Sequence, residues 1–502
     1  MKTKFWLPAI CTVLLCASAL SCGESAPSGP ASEPVPDETG SQTEPETEPA
    51  TSPASPVYDI PEPELPELDF GGADFRMVRF AYVPEYPDLW TDGLTGEVVN
   101  DAVFNRNLKI EEKFHIRMIQ DPEASKGDTA VATLILAGDD RFSMVEDSTS
   151  AIGDSLSLGP YLDLTTLPYC DFEQIYWSTS MRAGSEVHGK LFAMGTDLTW
   201  QALARADFIY FNKRIAGEYD LPSPYRLVEE NRWTIEQYLQ LIRAVSKDLD
   251  GDGVMTERDL WGAIYHIGRR YGTFMQLYVG CGLHFTRTDE NGGRVVDLDL
   301  EKAQELADRV KEVMNRDSVC ALDTDTLYNS DRFWGTDQLL LFSGGHALFA
   351  HETMEQMKLF REMEDDFGVV PNPKWDSDQE SYYHRASNGG VIAVPSNVRD
   401  PEMTGAVLEY GSWLSHYTVL PAYYEVTIKQ KRTRDEDAIK MLDIIHDSIV
   451  YDFGDMYDPI NMAFYVWNSY EAGSFPRVIG TMTKKIQKSI DKMASAMDRV
   501  GS

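Results

Sequence analysis

Asp74-Phe75-Arg76-Met77-Val78-Arg79-Phe80 largely alternates apolar and charged side chains, and so reads as a half-buried β-strand. Helical spacing follows in Asp101-Ala102-Val103-Phe104-Asn105-Arg106-Asn107-Leu108-Lys109-Ile110, and His115-Ile116-Arg117-Met118-Ile119 reads as the next strand. Strand, helix and strand at this pitch predict a βαβ unit and a parallel sheet, because a parallel return needs a crossover on one face. Further strand-like runs lie at Lys190–Met194, Phe208–Phe211, Ala347–Ala350, Phe367–Val370 and Val391–Val394, with helical stretches between them. Helices dominate the last hundred residues, as in Ala438–Tyr451 and Lys484–Met497, and no internal repeat is visible. The expected class is α/β, with enough chain for two lobes.

Upstream of that strand the composition changes. From Gly23 to about Pro66 the chain is rich in Pro, Glu, Ser, Thr and Ala without a single Lys or Arg, so it has nothing with which to form a core. Residues 23–67 are therefore expected to be a tether, with Pro stiffening and carboxylate repulsion extending it beyond the ~35 to 40 Å of a flexible chain of that length. Before it stand two lysines (Lys2, Lys4), an apolar stretch from Phe5 to Leu20 and the small-residue run Ala17-Ser18-Ala19-Leu20-Ser21-Cys22. This is the form of a secretory signal, too short for a spanning helix. The run resembles a bacterial lipobox, with Ala19 where Leu is commoner, and the resemblance implies cleavage before Cys22 and lipid on its thiol. Two or three acyl chains at ~0.8 kcal/mol per buried CH₂ would hold the chain on the outer membrane face. Simple cleavage near Ala19 is the competing outcome.

Formal charge is −36, which argues against nucleic acid or anionic lipid as a partner of the domain. Of six cysteines, Cys11 and Cys16 leave with the signal and Cys22 is the lipid acceptor, leaving Cys170, Cys281 and Cys320. A disulfide between Cys281 and Cys320 is permitted outside the cell but not fixed by spacing.

The sharpest local motif is Asp248-Leu249-Asp250-Gly251-Asp252-Gly253-Val254-Met255-Thr256-Glu257-Arg258-Asp259. Oxygens stand at positions one, three and five, Gly at six and a carboxylate at twelve, the spacing of an EF-hand-type calcium loop. Asp248, Asp250, Asp252 and Asp259 would supply carboxylates, Val254 its carbonyl, and Thr256 a ligand through water. Asp259 is shorter than the usual Glu. With no second loop to face it, the expected role is structural; a merely solvated acidic turn is the alternative.

Four segments in chain order resemble the extracytoplasmic solute-binding proteins of ATP-driven (ABC) importers, of the class that includes maltodextrin binders. They are Gly189-Lys190-Leu191-Phe192-Ala193-Met194-Gly195-Thr196-Asp197; Phe208-Ile209-Tyr210-Phe211-Asn212-Lys213-Arg214 followed by Trp233-Thr234-Ile235-Glu236-Gln237-Tyr238; Leu341-Phe342-Ser343-Gly344-Gly345-His346-Ala347-Leu348-Phe349; and the pair Phe367–Pro373 and Gly389–Pro395. The resemblance implies a two-lobed periplasmic-binding-protein-like fold of type II with hinge-crossing strands. It puts lobe one at about 68–195 and 345–395, and lobe two at about 196–344 and 396–502. It implies capture of a small solute, a mono- or oligosaccharide, for delivery to a permease.

Sugar sites stack ring faces on Trp and Tyr and satisfy hydroxyls with planar polar groups. At the implied crossings Asp197, Trp200, Trp334, His351, Glu352, Tyr383, Arg385, Asn388 and Trp413 offer that mixture. Core or surface packing is the competing reading for each. Glycoside hydrolysis would need a carboxylate pair that sequence alone cannot identify. A Gly-x-Ser-x-Gly elbow, a His-Glu-x-x-His helix and a phosphate-cradling Gly loop are all missing from the chain. The expectation is therefore a binding protein without catalysis, against a hydrolase, a sensory or adhesive lipoprotein, or a peptide binder.

Overall fold

The computed structural model describes residues 61–79, 89–121, 128–266, 272–324, 336–360, 362–386, 389–429, 435–457 and 460–500. The signal segment, Cys22 and most of the tether lie outside the described residues, as do Trp334 and Asn388.

The opening βαβ unit forms as the pattern predicts. Strand Ala73–Arg79 pairs in parallel with Ile116–Gln120, joined by helix Val98–Phe114, whose Val99, Val103, Arg106, Ile110 and Phe114 are buried at three- and four-residue spacing. His115 is not the first strand residue but the helix cap. It sits left-handed at φ 48° and donates its backbone N–H to Glu111 O, which ends the helix one residue before the strand begins. The first sheet runs in the order Gly390–Ala393, Met144–Ser148, Ala73–Arg79, Ile116–Gln120. Phe75, Met77 and Met144 point into a core shared with Ile110 and Phe114, while Val78 and Val145 face the opposite side, the period-two division of a sheet covered on both faces.

The second sheet has six strands, with Phe367–Val370, Asp207–Asn212, Ala347–Thr353, Leu260–Tyr265 and Ser246–Lys247 in order and Ala321–Asp323 also on Leu260–Tyr265. Every residue of Asp207–Asn212, Leu260–Tyr265 and Phe367–Val370 is buried.

Lobe membership differs from the expected division. Ala347–Thr353 and Phe367–Val370 flank Asp207–Asn212 with registers Phe349↔Phe211 and Val370↔Ile209, so both belong to the second sheet and not with residues 68–195. The return to the first sheet comes later, after residues 372–386, with strand Gly390–Ala393. Helix Pro401–Lys429 was assigned to lobe two, yet Met403, Ala406, Val407 and Leu414 enter the core of the first sheet. Residues 61–67, assigned to the tether, already touch the domain: Leu65 packs on that core and Lys113 holds Glu62 at 2.7 Å.

Among the described residues, three crossing segments pair with one another between the two sheets. Residues 195–206 form the first. Residues 372–386 form the second, joined to the first by a bridge between Ala206 and Ala386. Residues 448–452 form the third, where Ile449–Val450 pairs in parallel with His384–Arg385. Cys170, Cys281 and Cys320 are all free, so the permitted disulfide is not formed; Cys281 Sγ faces Pro373 O at 3.8 Å and Cys320 Sγ lies 3.5 Å from Ser318 Oγ.

Candidate functional site

A cavity of about 250 Å³ opens beside the first crossing, lined by Trp177, Asp197, Trp200, His446, Asp447 and Tyr451 among others. Each wall is set by a different element. Trp200 precedes the short helix Gln201–Ala204, and its ring stacks on Tyr423 of the long helix at 4.5 Å and 14°. Trp177 is aimed by its indole N–H, which donates to Glu409 at 2.9 Å; Tyr176 O–H reaches the same carboxylate at 2.6 Å, and burial raises that carboxyl above its ordinary range. Tyr451, nine-tenths buried on the third crossing, has a hydroxyl without a hydrogen-bond partner among the described residues. A buried hydroxyl left so costs roughly 1–3 kcal/mol. Ser178, Thr179, Ser180, Thr196 and Thr199 complete a rim of hydroxyls.

Asp197 carries the charge. His416 Nδ1 lies 2.7 Å from one carboxylate oxygen and His446 Nε2 3.5 Å from the other, while His446 Nδ1 meets Asp447 at 3.0 Å. Burial pushes Asp197 upward, but the hydrogen bonds and charges of the two histidines hold it below the usual carboxylate range. Burial would lower His446, yet Asp197 and Asp447 raise it to about 10. At neutral pH Asp197 and His446 are therefore an ion pair.

A second polar row links the two sheets. Glu146, midway along Met144–Ser148, approaches Gly390 so closely that a Cβ there would stand 2.2 Å from its Oε1 and 2.8 Å from Gln201 Cβ, so glycine is required. One helical turn on, Arg205 pairs with Glu355 at 3.1 Å, just past the end of Ala347–Thr353. Helix Gln201–Ala204 thus touches a strand end of each lobe, the place where open α/β sheets present ligand groups.

The predicted site residues do not all gather here. Asp197 and Trp200 do. His351 is turned into the second lobe, where Tyr238 O–H and Gln276 Oε1 occupy its two ring nitrogens and burial lowers it to about 3. Arg385 is buried against Asp455, with Nε–Oδ2 at 2.5 Å and Nη2–Oδ1 at 2.7 Å. Glu352 is the penultimate residue of its strand and accepts from Thr353 N–H at 2.9 Å, and Tyr383 offers its carbonyl to Asn372 Nδ2 at 3.5 Å. Trp413 rides the long helix between Tyr410 and Tyr417, both centroids at 5.5 Å, on the first-lobe core. Trp177, His416, His446 and Tyr451 were missed. The only sequence sign of the histidine pair was a His–Asp step at 446–447.

The acidic loop folds compactly. One oxygen each from Asp248, Asp250 and Asp252 lies within 4.8 Å of the others. Asp248 accepts from Gly251 and Gly253 N–H, both at 2.7 Å, and Asp252 from Val254 N–H at 2.7 Å. Asp259 braces the loop, taking Leu249 N–H at 2.8 Å and Thr256 N–H at 2.6 Å, and these bonds hold its carboxyl below the ordinary range. Strand Leu260–Tyr265 follows where an EF-hand would begin its second helix.

No family model and no curated relative matches the chain. Solved structures do. A sugar transporter from Rhizobium etli in an open conformation is 15% identical, covering 86% of this chain and 100% of its own, at a TM-score of 0.53. The galacto-N-biose/lacto-N-biose I-binding protein of an ABC transporter from Bifidobacterium longum, in complex with lacto-N-biose, is 13% identical, covering 85% and 98%, at 0.52. At such identities the likeness establishes the fold, which is the two-lobed periplasmic-binding-protein-like fold.

Proposed function

We propose that this protein captures a neutral sugar, a mono- or oligosaccharide, outside the cytoplasm and delivers it to an ABC-type permease. The observation that carries the reading is the crossing cavity. Trp177, Trp200 and Tyr451 supply aromatic surface, Tyr451 O–H and the lone pairs of the lining serines and threonines supply polar partners, and Asp197 is already met by histidine. A cavity of 150 Å³ accommodates benzene, so 250 Å³ suits about one sugar ring. The fold is shared with a protein solved with lacto-N-biose, and segments that join two lobes let a ligand bias closure by binding one arrangement better. Both oxygens of Asp197 are engaged by histidines, which suits recognition and not acid catalysis.

A thermal-shift screen of the purified chain over mono- and oligosaccharides, with peptides as controls, tests this. Ligand at 100 times its Kd should add ~2.7 kcal/mol of stability. A response to peptides alone would overturn the sugar assignment, and release of shortened sugars would make the protein a hydrolase.

Lipid on Cys22 would keep the domain at the membrane that houses the permease; Cys22→Ala should release the protein to the medium, and retention would refute the anchor. Calcium in the Asp248–Asp259 loop would relieve the repulsion of its three converging carboxylates. Val254 O, Thr256 and Asp259 would complete the set. Chelator should lower the melting temperature of the wild type and not of Asp250→Ala; equal behaviour would leave a solvated turn.

A further inference from the structure

One buried polar network ties all three crossing segments together, apart from the cavity described above. Asp207 opens strand Asp207–Asn212 directly after the first segment and is 2% exposed. Its Oδ1 accepts from Asn372 Nδ2 at 3.0 Å and from the backbone N–H of Arg385 at 3.2 Å, both on the second segment. The Arg385 guanidinium turns the other way and grips Asp455, just beyond the third segment, through two bonds. His384, neutral because burial lowers it to about 3, accepts Asn372 N–H at 3.0 Å on one ring nitrogen and meets Ser448 Oγ at 2.8 Å with the other. Two carboxylates therefore share one cation, and Asp455 holds the fork. A buried ionised carboxylate without its own counter-charge is costly, whereas a protonated one is a tolerable hydrogen-bonding group.

We propose that Asp207 is a proton-operated pin of the lobe crossing: protonated it fastens the three segments, and ionised it favours their opening to water. The groups facing it are Asn372, Arg385, Asp455 and neutral His384, with Thr353 opposite in strand register. Burial pushes Asp207 up to about 7 despite the pull of Arg385, and Asp455 adds to the rise. In an opened crossing the group returns toward ~4. Opening should then grow by up to about tenfold per pH unit between pH 5 and 7 and level off above. Its meaning for solute capture rests on the function proposed above, but the proton step does not.

Hydrogen exchange of the full chain, corrected for intrinsic base catalysis and read at Ala206–Asp207, His384–Ala386 and Ile449–Val450, is the test. The wild type should show the rise and plateau, and Asp207→Asn, a mimic of the protonated acid, should stay closed and flat. Asp455→Asn removes the neighbouring carboxylate that adds to the rise of Asp207, so its plateau should arrive at lower pH. Identical profiles in wild type and variants would overturn the pin. Should neither variant fold, infrared spectra of the wild type at pH 6 and 8 decide: loss of a buried protonated-carboxyl band supports the proposal, and no change sinks it. A sugar screen that fails while the exchange profile holds would discard the solute reading and keep the pin.

Discussion

Asp197 shows how one side chain can be both legible and misread. As a carboxylate near a lobe crossing it reads as a hydroxyl acceptor for sugar, and it does reach the cavity, but His416 and His446 take its two oxygens. Its first duty is to compensate a partly buried imidazolium. Removing one partner of a fully buried pair costs about 3–5 kcal/mol because the other charge is left alone, and partial exposure puts this pair at the low end. Asp197→Asn should therefore lose about 3 kcal/mol at pH 6 in urea unfolding. The sign follows from both partners. The raised His446 contributes fully below its ordinary value of 6.5 and loses that contribution as pH climbs through about 10; the lowered Asp197 contributes above its ordinary 3.8 and loses it as pH falls through its depressed value. The gap between wild type and variant should be widest from about pH 4 to 6.5 and narrow toward pH 10. A gap that stays constant to pH 10 would show that the pair is not what Asn breaks. His351 and Arg385 erred in the opposite way: polar residues in or near strands resemble ligand groups in sequence, and only tertiary structure reveals that Tyr238, Gln276 and Asp455 already hold them.

At the scale of elements, local pattern served where one segment answers one question. The strand Ala73–Arg79, the helix after it and the strand beyond are each legible from spacing, because burial on one face writes a period into the sequence. Lobe membership is not written that way. Ala347–Ala350 is apolar throughout and fits either sheet, so only its pairing with Phe211 and Tyr210 decides. The helix Pro401–Lys429 is likewise apolar around much of its circumference, serving the first-lobe core with Leu414 and the crossing with Tyr423. Close approach of elements is equally invisible. Helix Thr179–Ser185 lies so near the third crossing that a Cβ on Gly184 would stand 2.0 Å from Tyr451 O. Replacing a helical Gly by Ala gains up to ~1 kcal/mol in propensity, while overpacking costs roughly 1–3 kcal/mol. Backbone cannot step aside as a side chain can, so the clash should prevail. Gly184→Ala is expected to lower the urea midpoint and to shift Tyr451, seen as altered tyrosine fluorescence or ring NMR signals. A higher midpoint would mean that the helix and the crossing are not in contact.

For the whole molecule, charge separates solute classes that shape leaves open. A chain with a formal charge of −36 attracts cations at long range and repels anions, and both effects fade with salt because the screening length falls from ~30 Å at 0.01 M to ~3 Å at 1 M. In the crossing cavity Asp197 and Asp447 share the single His446 imidazolium, so only one carboxylate charge is left uncompensated there, far less than on the acidic surface as a whole. A neutral sugar bound there gains from ring stacking and hydroxyl hydrogen bonds, neither of which salt screens appreciably. Calorimetric affinity for a sugar should thus change by less than about twofold between 20 mM and 500 mM NaCl, an allowance that corresponds to ~0.4 kcal/mol. A cationic peptide drawn by the acidic surface would behave otherwise, weakening by tenfold or more over that range as its steering is lost. Such a fall for whichever ligand binds most tightly would shift the reading from sugar to peptide, while leaving the two-lobed capture architecture in place.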